Sequence, residues 1–216
     1  MTTKGIIFDM DGLLVDSEKI YYQANVRAAK EMGFAFTPAD HQAILGTTDA
    51  YLRNYFKQKL GSADAAAEFI DRSYRNVAAV IATDGVAIKP GLVTLLDYSD
   101  AHGINRVIAS SNFRSMVDDF MQSTGLQARF DQVVAGDEVT HGKPHPEIFL
   151  KALDKLALPA ANALVLEDSP NGVMAANQAA IPVIMIPDLI APTEVTQQQT
   201  LATVADLAQV IPYLEK

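Results

Sequence analysis

Short apolar runs that end in polar or acidic residues recur along this chain of 216 residues. The runs do not alternate with polar positions, and continuous apolarity is typical of strands that are covered on both faces. Helical patterns lie between the later runs, and this alternation predicts a parallel sheet with helices on both sides. The predicted strands contain residues 6–8, 107–109, 133–135, 164–166 and 183–186, and the helices between them are predicted over 91–101, 114–124, 146–156 and 172–179.

The interval from Glu18 to about Thr83 interrupts this alternation, because it shows helical periodicity and no buried-strand run. We therefore expect two domains. The first is an α/β core of residues 1–16 and 85–216, and the second is an all-helical cap of residues 17–84. The cap helices are predicted over 17–32, 49–60 and 63–82, with breakers at Gly33, Thr37-Pro38, Gly46 and Gly61.

Charge and composition narrow the possible functions. Lys and Arg total 17 against 26 Asp and Glu, so the formal net charge is −9, and no general basic field exists to attract nucleic acid or anionic lipid. Positive charge for an anionic substrate would then come from a few placed cations, backbone donors or a bound metal ion. The lack of cysteine excludes disulfides and Cys-ligated zinc. The four histidines are expected to be surface or structural residues, since we find no pair at metal-ligand spacing.

The apolar runs also bear on location. None approaches the roughly 18 residues of a membrane span, and the first run, Gly5 to Phe8, is far too short for the core of a signal peptide. We therefore expect a soluble, cytoplasmic protein that does not bind membranes. The pattern is consistent with a monomer.

Carboxylates follow two of the predicted strands at the point where each strand ends. Asp9 and Asp11 come after the first strand, and Glu167 and Asp168 come after the fourth. Ligands of open α/β sheets bind at the carboxyl ends of the strands, and converging carboxylates repel one another unless a cation or a proton intervenes. The pattern therefore predicts a Mg²⁺ site. The alternatives are an acidic loop without function and, for Asp168 or Ser169, a helix cap.

Hydroxyl and amine groups follow two other strands. Ser110, Ser111 and Asn112 come after the second strand and before a helix, where hydroxyl and backbone donors could cradle an anion. Lys143 lies in a Gly-Lys-Pro string after the third strand, where it could neutralise a carboxylate or phosphate oxygen. Taken singly, the first group is equally typical of a helix cap, and an ordinary lysine is a surface residue.

In order, these four groups resemble the four motifs of the haloacid dehalogenase superfamily of phosphohydrolases: Asp-x-Asp-Gly, a strand-end Ser or Thr, a loop Lys and a late Glu-Asp. The resemblance covers the whole chain, because the helical interval has the position and length of that superfamily's cap. The string from Phe8 to Glu18 resembles the branch of β-phosphoglucomutases and sugar-phosphate phosphatases. The resemblance implies a Rossmann-like α/β core and Mg²⁺-dependent hydrolysis of small phosphomonoesters, such as sugar or polyol phosphates.

The resemblance also implies a role for each group. Asp9 would attack phosphorus and carry a transient aspartyl-phosphate, and Asp11 would act as general acid and then as general base. Mg²⁺ would be held by the Asp9 side chain, the Asp11 main-chain carbonyl and Asp168, with Glu167 as a direct or outer ligand. The phosphate-binding residues would be Ser110, Ser111, Asn112 and Lys143.

Residues of the cap distinguish a phosphatase from a phosphosugar mutase. Mutases of this branch carry a His after the first motif and an Arg in a cap loop, where this chain has Tyr21 and Asp49. Both departures favour a phosphatase, since an Asp would repel a second phosphate group. A non-catalytic binding protein is disfavoured, because a binder gains nothing from a well-placed general acid. The expected partner is a small phosphorylated metabolite, and the cap candidates for contacting it are Tyr21, Thr47, Thr48 and Arg53, although a solvated helix face explains Arg53 equally well.

Overall fold

The computed structural model describes residues 3–214, apart from the side chain of Asp49. Its strands are β1 (Gly5–Phe8), β2 (Asn105–Ala109), β3 (Gln132–Val134), β4 (Ala163–Glu167), β5 (Val183–Met185) and β6 (Ala202–Thr203). Its α-helices are α1 (Glu18–Glu31), α2 (Pro38–Ile44), α3 (Asp49–Leu60), α4 (Ala63–Asp84), α5 (Leu92–His102), α6 (Arg114–Thr124), α7 (Glu147–Leu156), α8 (Pro170–Gln178), α9 (Glu194–Gln198) and α10 (Ile211–Leu214). Across residues 3–214, no helix has the length and apolar character needed to cross a bilayer.

The strands form one parallel sheet in the order β3-β2-β1-β4-β5-β6. The chain passes from β1 to β2 and β3 on one side and then returns to β4 on the other. The strand order therefore reverses beside β1, and such a switch point is where open α/β sheets bind their ligands. The predicted α/β fold is confirmed.

The register of the central strands places their ends level with one another. Phe8 pairs with Ile108 of β2 and with Leu166 of β4. The next residue along β1 is Asp9, so it leaves the sheet beside the ends of both neighbouring strands. Polar residues that follow these three strands are thereby brought to one edge.

Helix α7 shows how packing on the sheet positions a loop. Ile148, Phe149, Ala152 and Leu156 form its buried face, and they share a core cluster with residues of the central strands. Burying a large apolar side chain contributes about 1.5–3 kcal/mol, so this face anchors the helix firmly. The loop that carries Lys143 leads directly into α7 and is anchored with it.

Residues Ser17–Val86 form a compact helical unit of their own, and the described residues on either side of them form the α/β unit. Aromatic rings fill the centre of the helical unit. The rings of Phe56 and Phe69 lie 4.3 Å apart between centroids, and Phe36 stacks on both. The sequence predicts that the helical unit ends at residue 84. In the structure this unit ends two residues later, at Val86.

Four of the described elements are absent from the sequence-based prediction: α2, β6 and the short helices α9 and α10. The sequence predicts a breaker at Thr37-Pro38, but Thr37 is the N-cap of α2 and Pro38 occupies its first turn, where a proline costs no hydrogen bond. Thr37 and Asp40 complete a reciprocal capping box there. Strand β6 was not predicted, because two residues are too few to show a period; it pairs with Ile184 and Met185 of β5.

Candidate active site

The end of β1 brings Asp9 into the interior of the α/β unit. Its backbone N–H donates to the carbonyl of Leu166 (3.0 Å), so Asp9 continues the strand pairing with β4. Its carboxylate is buried, with 6% of the residue exposed, and it accepts a hydrogen bond from Nζ of Lys143. Register and burial together fix this side chain at the sheet edge.

A tight turn after Asp9 returns the chain to the strand edge. Gly12 has a φ of +73°, a left-handed conformation that favours glycine. A Cβ at this position would lie only 2.5 Å from Oδ2 of Asp168. Glycine therefore allows the first and last acidic groups to approach each other.

Asp11 faces the residues that follow β2. Its Oδ2 accepts a hydrogen bond from Nδ2 of Asn112 (2.8 Å) and a longer one from Oγ of Ser110 (3.4 Å). Oγ of Ser110 also accepts from the backbone N–H of Asn112 (3.1 Å), which tightens the turn. Ser111 is exposed. The structure thus brings Ser110 and Asn112, but not the Ser111 side chain, to Asp11.

The alternative that Lys143 is a solvated surface residue is excluded, because its side chain is only 7% exposed. Its Nζ donates to Asp9, to Oε1 of Glu167 (2.6 Å) and to the carbonyl of Ala109 (3.3 Å). The same nitrogen lies 4.8 Å from the ring centre of Phe149, a cation–π contact. One lysine thus joins β1, β2 and β4.

Glu167 and Asp168 have different surroundings. Glu167 is fully buried, and its Oε2 accepts hydrogen bonds from N and Oγ of Ser169, both at 3.0 Å, while Oε1 is held by Lys143. Gly172 allows this burial, since a Cβ there would lie 1.8 Å from the Glu167 carboxylate. The helix-cap alternative applies to Ser169, which caps α8 through the Gly172 N–H, and not to Asp168.

The carboxylates in this cluster are crowded. Burial, together with Glu167 and Asp11, raises the pKa of Asp9 against the lowering effect of Lys143. Burial and repulsion from Glu167 and Asp9 likewise raise the pKa of Asp168. Burial would lower the pKa of Lys143, but the carboxylates of Asp9 and Glu167 outweigh it and raise that pKa. The cluster has more negative charge than one lysine can balance.

A divalent cation would compensate the excess negative charge of this cluster. One carboxylate oxygen from each of Asp9, Glu167 and Asp168 lies within 4.8 Å of the others. Both oxygens of Glu167 already accept hydrogen bonds, so Asp9 and Asp168 are the side chains best suited to bind the ion directly. Oxygen donors of this kind suit Mg²⁺.

The cap candidates lie in the helical unit. Thr48 is the N-cap of α3, where its Oγ1 accepts from the Tyr51 N–H, and Oγ1 of Thr47 donates to the carbonyl of Ile44. Arg53 is exposed on α3 and Tyr21 is half-buried on α1. Substrate contact by these four residues stays a prediction, and the side chain of Asp49 lies outside the described part of the structure.

The expectation for the histidines needs a correction. His141 and His145 are four residues apart, and together with Glu147 they place possible ligand atoms within 4.8 Å of one another. No helical periodicity marks this spacing in the sequence, because the pair lies in a loop and not on a helical face. Glu147 already accepts from His141 Nδ1 (3.1 Å), two backbone N–H groups and Lys151, which is consistent with the structural role expected for His141.

Two further residues shape this site, although no motif of the sequence marks them. Gly136 holds the turn after β2, because a Cβ there would lie 2.0 Å from the Ser111 carbonyl oxygen. Asp188, in the loop after β5, accepts from Lys89 (2.6 Å) and approaches Gly12. The only available signal was position, since Gly136 and Asp188 both follow a strand end.

Comparison with known proteins places the chain in a family. A family model described as haloacid dehalogenase-like hydrolase matches residues 6–186. The "Phosphorylated carbohydrates phosphatase" of Thermotoga maritima is 31% identical over 178 residues, which cover 82% of each chain. Protein CbbY of Rhodobacter capsulatus is 33% identical over 197 residues, covering 87% of this chain and 86% of CbbY.

A solved structure agrees at the level of the fold. CbbY from Rhodobacter sphaeroides, in complex with phosphate, superposes with a TM-score of 0.86 at 24% identity and covers 100% of both chains. The family match spans all four motif positions from Asp9 to Asp168. The chain therefore belongs to the haloacid dehalogenase-like hydrolases, and the family and hydrolase class predicted from its motifs are confirmed.

Proposed function

We propose that this hydrolase is a Mg²⁺-dependent phosphatase that acts on small phosphomonoesters through an aspartyl-phosphate. The observation that carries the proposal is the meeting of Asp9, Asp11, Lys143 and Asp168 at one sheet edge, where Lys143 holds Asp9, Asn112 holds Asp11 and Asp168 lies beside Asp9. The similarity to a relative named for phosphorylated carbohydrates supports sugar or polyol phosphates as the substrate class.

Asp9 is the proposed nucleophile. Lys143 binds Oδ1 of Asp9, which orients the other oxygen and favours the ionised carboxylate that attack requires. Glu167 in turn binds Lys143 from its buried position, so we assign Glu167 a positioning role. A covalent intermediate divides one difficult hydrolysis into two displacements at phosphorus.

Asp11 is the proposed general acid and base. The Asn112 amide holds Oδ2 of Asp11, and we assign the Asp11 carboxyl group the transfer of a proton to the leaving alkoxide. In the second step the same carboxylate would take a proton from the attacking water. Ser110, Asn112 and Lys143 are the donors proposed to bind the transferring phosphoryl oxygens.

Asp9, Asp168 and the main-chain carbonyl of Asp11 are the groups proposed to hold Mg²⁺. When bound, the ion offsets the repulsion between an anionic nucleophile and an anionic phosphate. The raised pKa values of Asp9 and Asp168 support this assignment, because burial and the neighbouring carboxylates raise them despite Lys143, and a bound cation would offset that repulsion.

A phosphate-release assay tests the proposal. Purified protein is incubated with Mg²⁺ and a panel of sugar, polyol and nucleoside monophosphates, and inorganic phosphate is measured before and after dialysis against EDTA. We expect release from part of the panel, loss of activity after dialysis, and recovery with Mg²⁺. Release that persists at negligible metal content would remove the metal requirement, and no release from any ester would overturn the phosphatase assignment.

The phosphosugar mutase alternative has a separate test. Tyr21 and Asp49 occupy the positions where the resemblance calls for His and Arg, so retention of a bisphosphate for a second transfer is not expected. With β-glucose 1-phosphate we expect glucose and inorganic phosphate, with or without added glucose 1,6-bisphosphate. Phosphorus NMR that shows glucose 6-phosphate forming faster than inorganic phosphate would favour the mutase.

A further inference from the structure

Asp188 lies close to the acidic cluster but belongs to none of the four motifs. It follows β5, and its Oδ1 accepts a hydrogen bond from Nζ of Lys89 at 2.6 Å. Both side chains are largely withdrawn from water, with 14% of Asp188 and 20% of Lys89 exposed. An ion pair with so little exposure is held in place much more firmly than a surface pair.

The second oxygen of Asp188 faces Asp168 across Gly12. A Cβ on Gly12 would lie 2.5 Å from Oδ2 of Asp168 and 3.0 Å from Oδ2 of Asp188. The two carboxylate oxygens are therefore at most about 5.5 Å apart. Because Gly12 has no side chain, nothing on this residue separates them.

This placement would let Asp188 contact the water ligands of a cation held by Asp9 and Asp168, without binding the cation directly. The group of possible ligands that lie within 4.8 Å of one another contains Asp9, Glu167 and Asp168 but not Asp188. Mg²⁺ in proteins usually keeps several water ligands, and a nearby carboxylate that accepts hydrogen bonds from such waters strengthens and orients binding.

Lys89 affects both the position and the charge of Asp188. Its backbone N–H donates to the carbonyl of Leu14 (2.9 Å), and the adjacent Ile88 forms an antiparallel bridge with Val15. The segment that leaves the cap is thereby paired with the segment that enters it. The Lys89 side chain then extends from this paired segment to Asp188 and cancels part of its charge.

We propose that Asp188 is a positioning residue for the metal ion and that Lys89 moderates its charge. The inference rests on the proposed function, since it requires Mg²⁺ at Asp9 and Asp168. It predicts effects of opposite sign: removing the Asp188 charge weakens Mg²⁺ binding, and removing the Lys89 charge strengthens it. A pair that served only to fasten two loops would give changes of the same sign, in stability alone.

The test is a calorimetric titration of the full chain with Mg²⁺ alone, accompanied by thermal melts without metal. We expect Asp188→Asn to weaken binding roughly 10-fold and Lys89→Gln to tighten it about two- to five-fold. Lys89→Arg, which keeps the charge, should stay near the parent. Asp154→Asn, the same charge change on an exposed position of α7, should leave the affinity unchanged.

Each result decides a different claim. Opposite shifts in Mg²⁺ affinity, with both variants folded, support the inference. Unchanged affinities, or shifts of one sign that follow melting temperature, overturn it and leave the proposed phosphatase intact. If Asp188→Asn does not fold, the Lys89→Gln titration still decides, because unchanged or weaker binding contradicts the proposed sign. Absence of Mg²⁺ binding by the parent would overturn this inference and the proposed metal site together.

Discussion

Asp40 in the helical unit and Asp9 in the α/β unit are buried to almost the same extent, with 4% and 6% exposed, yet their pKa values shift in opposite directions. Burial alone would raise the pKa of Asp40, but hydrogen bonds from Lys59, Tyr55 and Thr37 outweigh it and hold that pKa well below its usual value. Asp9 has one lysine and faces other carboxylates, so its pKa is raised.

The difference separates two uses of a buried carboxylate. Asp40 is satisfied by donors from its own unit, and this arrangement stabilises the join between α2 and α3. Asp9 and Asp168 are held close to like charges, which costs stability unless a cation or a substrate compensates. Carboxylates whose pKa is raised by burial and by one another are candidates for function, whereas a fully paired carboxylate is a structural residue.

Replacing the nucleophile should give the largest effect. We expect Asp9→Asn to lower kcat by about 10³-fold or more, because an amide cannot form the phosphoenzyme. The melting temperature should be unchanged or higher, since a crowded charge is removed. The measurement is phosphate release alongside thermal unfolding. Turnover near that of the parent, after deamidation is excluded by mass spectrometry, would remove Asp9 from the nucleophile role.

The proposed general acid should show a dependence on the leaving group. Loss of general acid catalysis typically costs about 10²- to 10⁴-fold, so Asp11→Asn should reduce hydrolysis of an alkyl phosphate in that range. p-Nitrophenyl phosphate, whose leaving group needs no proton, should suffer less in the phosphorylation step. Single-turnover rates with the two esters give the comparison. Equal losses would argue against the acid role.

A matched pair of variants tests the comparison directly. Asp168→Asn should weaken Mg²⁺ activation by about 10-fold or more without lowering the melting temperature of the metal-free protein. Asp40→Ala should do the reverse: a loss of about 1–3 kcal/mol of stability, because Tyr55 and Lys59 lose their shared partner, with normal Mg²⁺ activation. An Asp168 variant that is simply less stable would indicate a structural carboxylate.

The smallest expected effect is on the pH dependence of stability. A carboxyl group with a raised folded-state pKa binds its proton more tightly in the native state, so it favours folding at low pH and loses that contribution as pH rises from about 4. Metal-free protein should therefore lose stability toward neutral pH through Asp9 and Asp168. Melts across this range, with and without Mg²⁺, measure the effect. If stability fell equally with rising pH in the presence and absence of Mg²⁺, the assignment of this loss to Asp9 and Asp168 would be contradicted.

Asp40 affects the pH dependence of stability in the opposite direction. Its lowered folded-state pKa means that its contribution is present above the unfolded value near 4 and is lost as pH falls below it. Asp40→Ala should therefore flatten the acid limb of the stability profile and leave the neutral limb unchanged. Loss of the neutral limb in this variant would remove the distinction between the two clusters.

The chain alone was sufficient for the fold and for the identity of the motif residues. Continuous apolar runs such as Ile6 to Phe8 are typical of covered strands, and this local pattern identified all described strands except the two-residue β6. Parallel strands end at one edge, so the sequence predicts that Asp9, Ser110 and Asp168 lie together. Helix α2 was missed because Thr37-Pro38 has the same composition at a helix start as in a loop.

Tertiary structure decided which partner each side chain has. That Glu167 holds Lys143 and that Asp188 reaches the acidic cluster both depend on distances between segments far apart in the chain. Burial and the direction of each pKa shift follow from those distances. The sequence by itself determined which chemical groups lie at the edge of the sheet. Only the packed structure decided which of them face one another, because electrostatic and hydrogen-bond energies depend on separations that no one-dimensional pattern records.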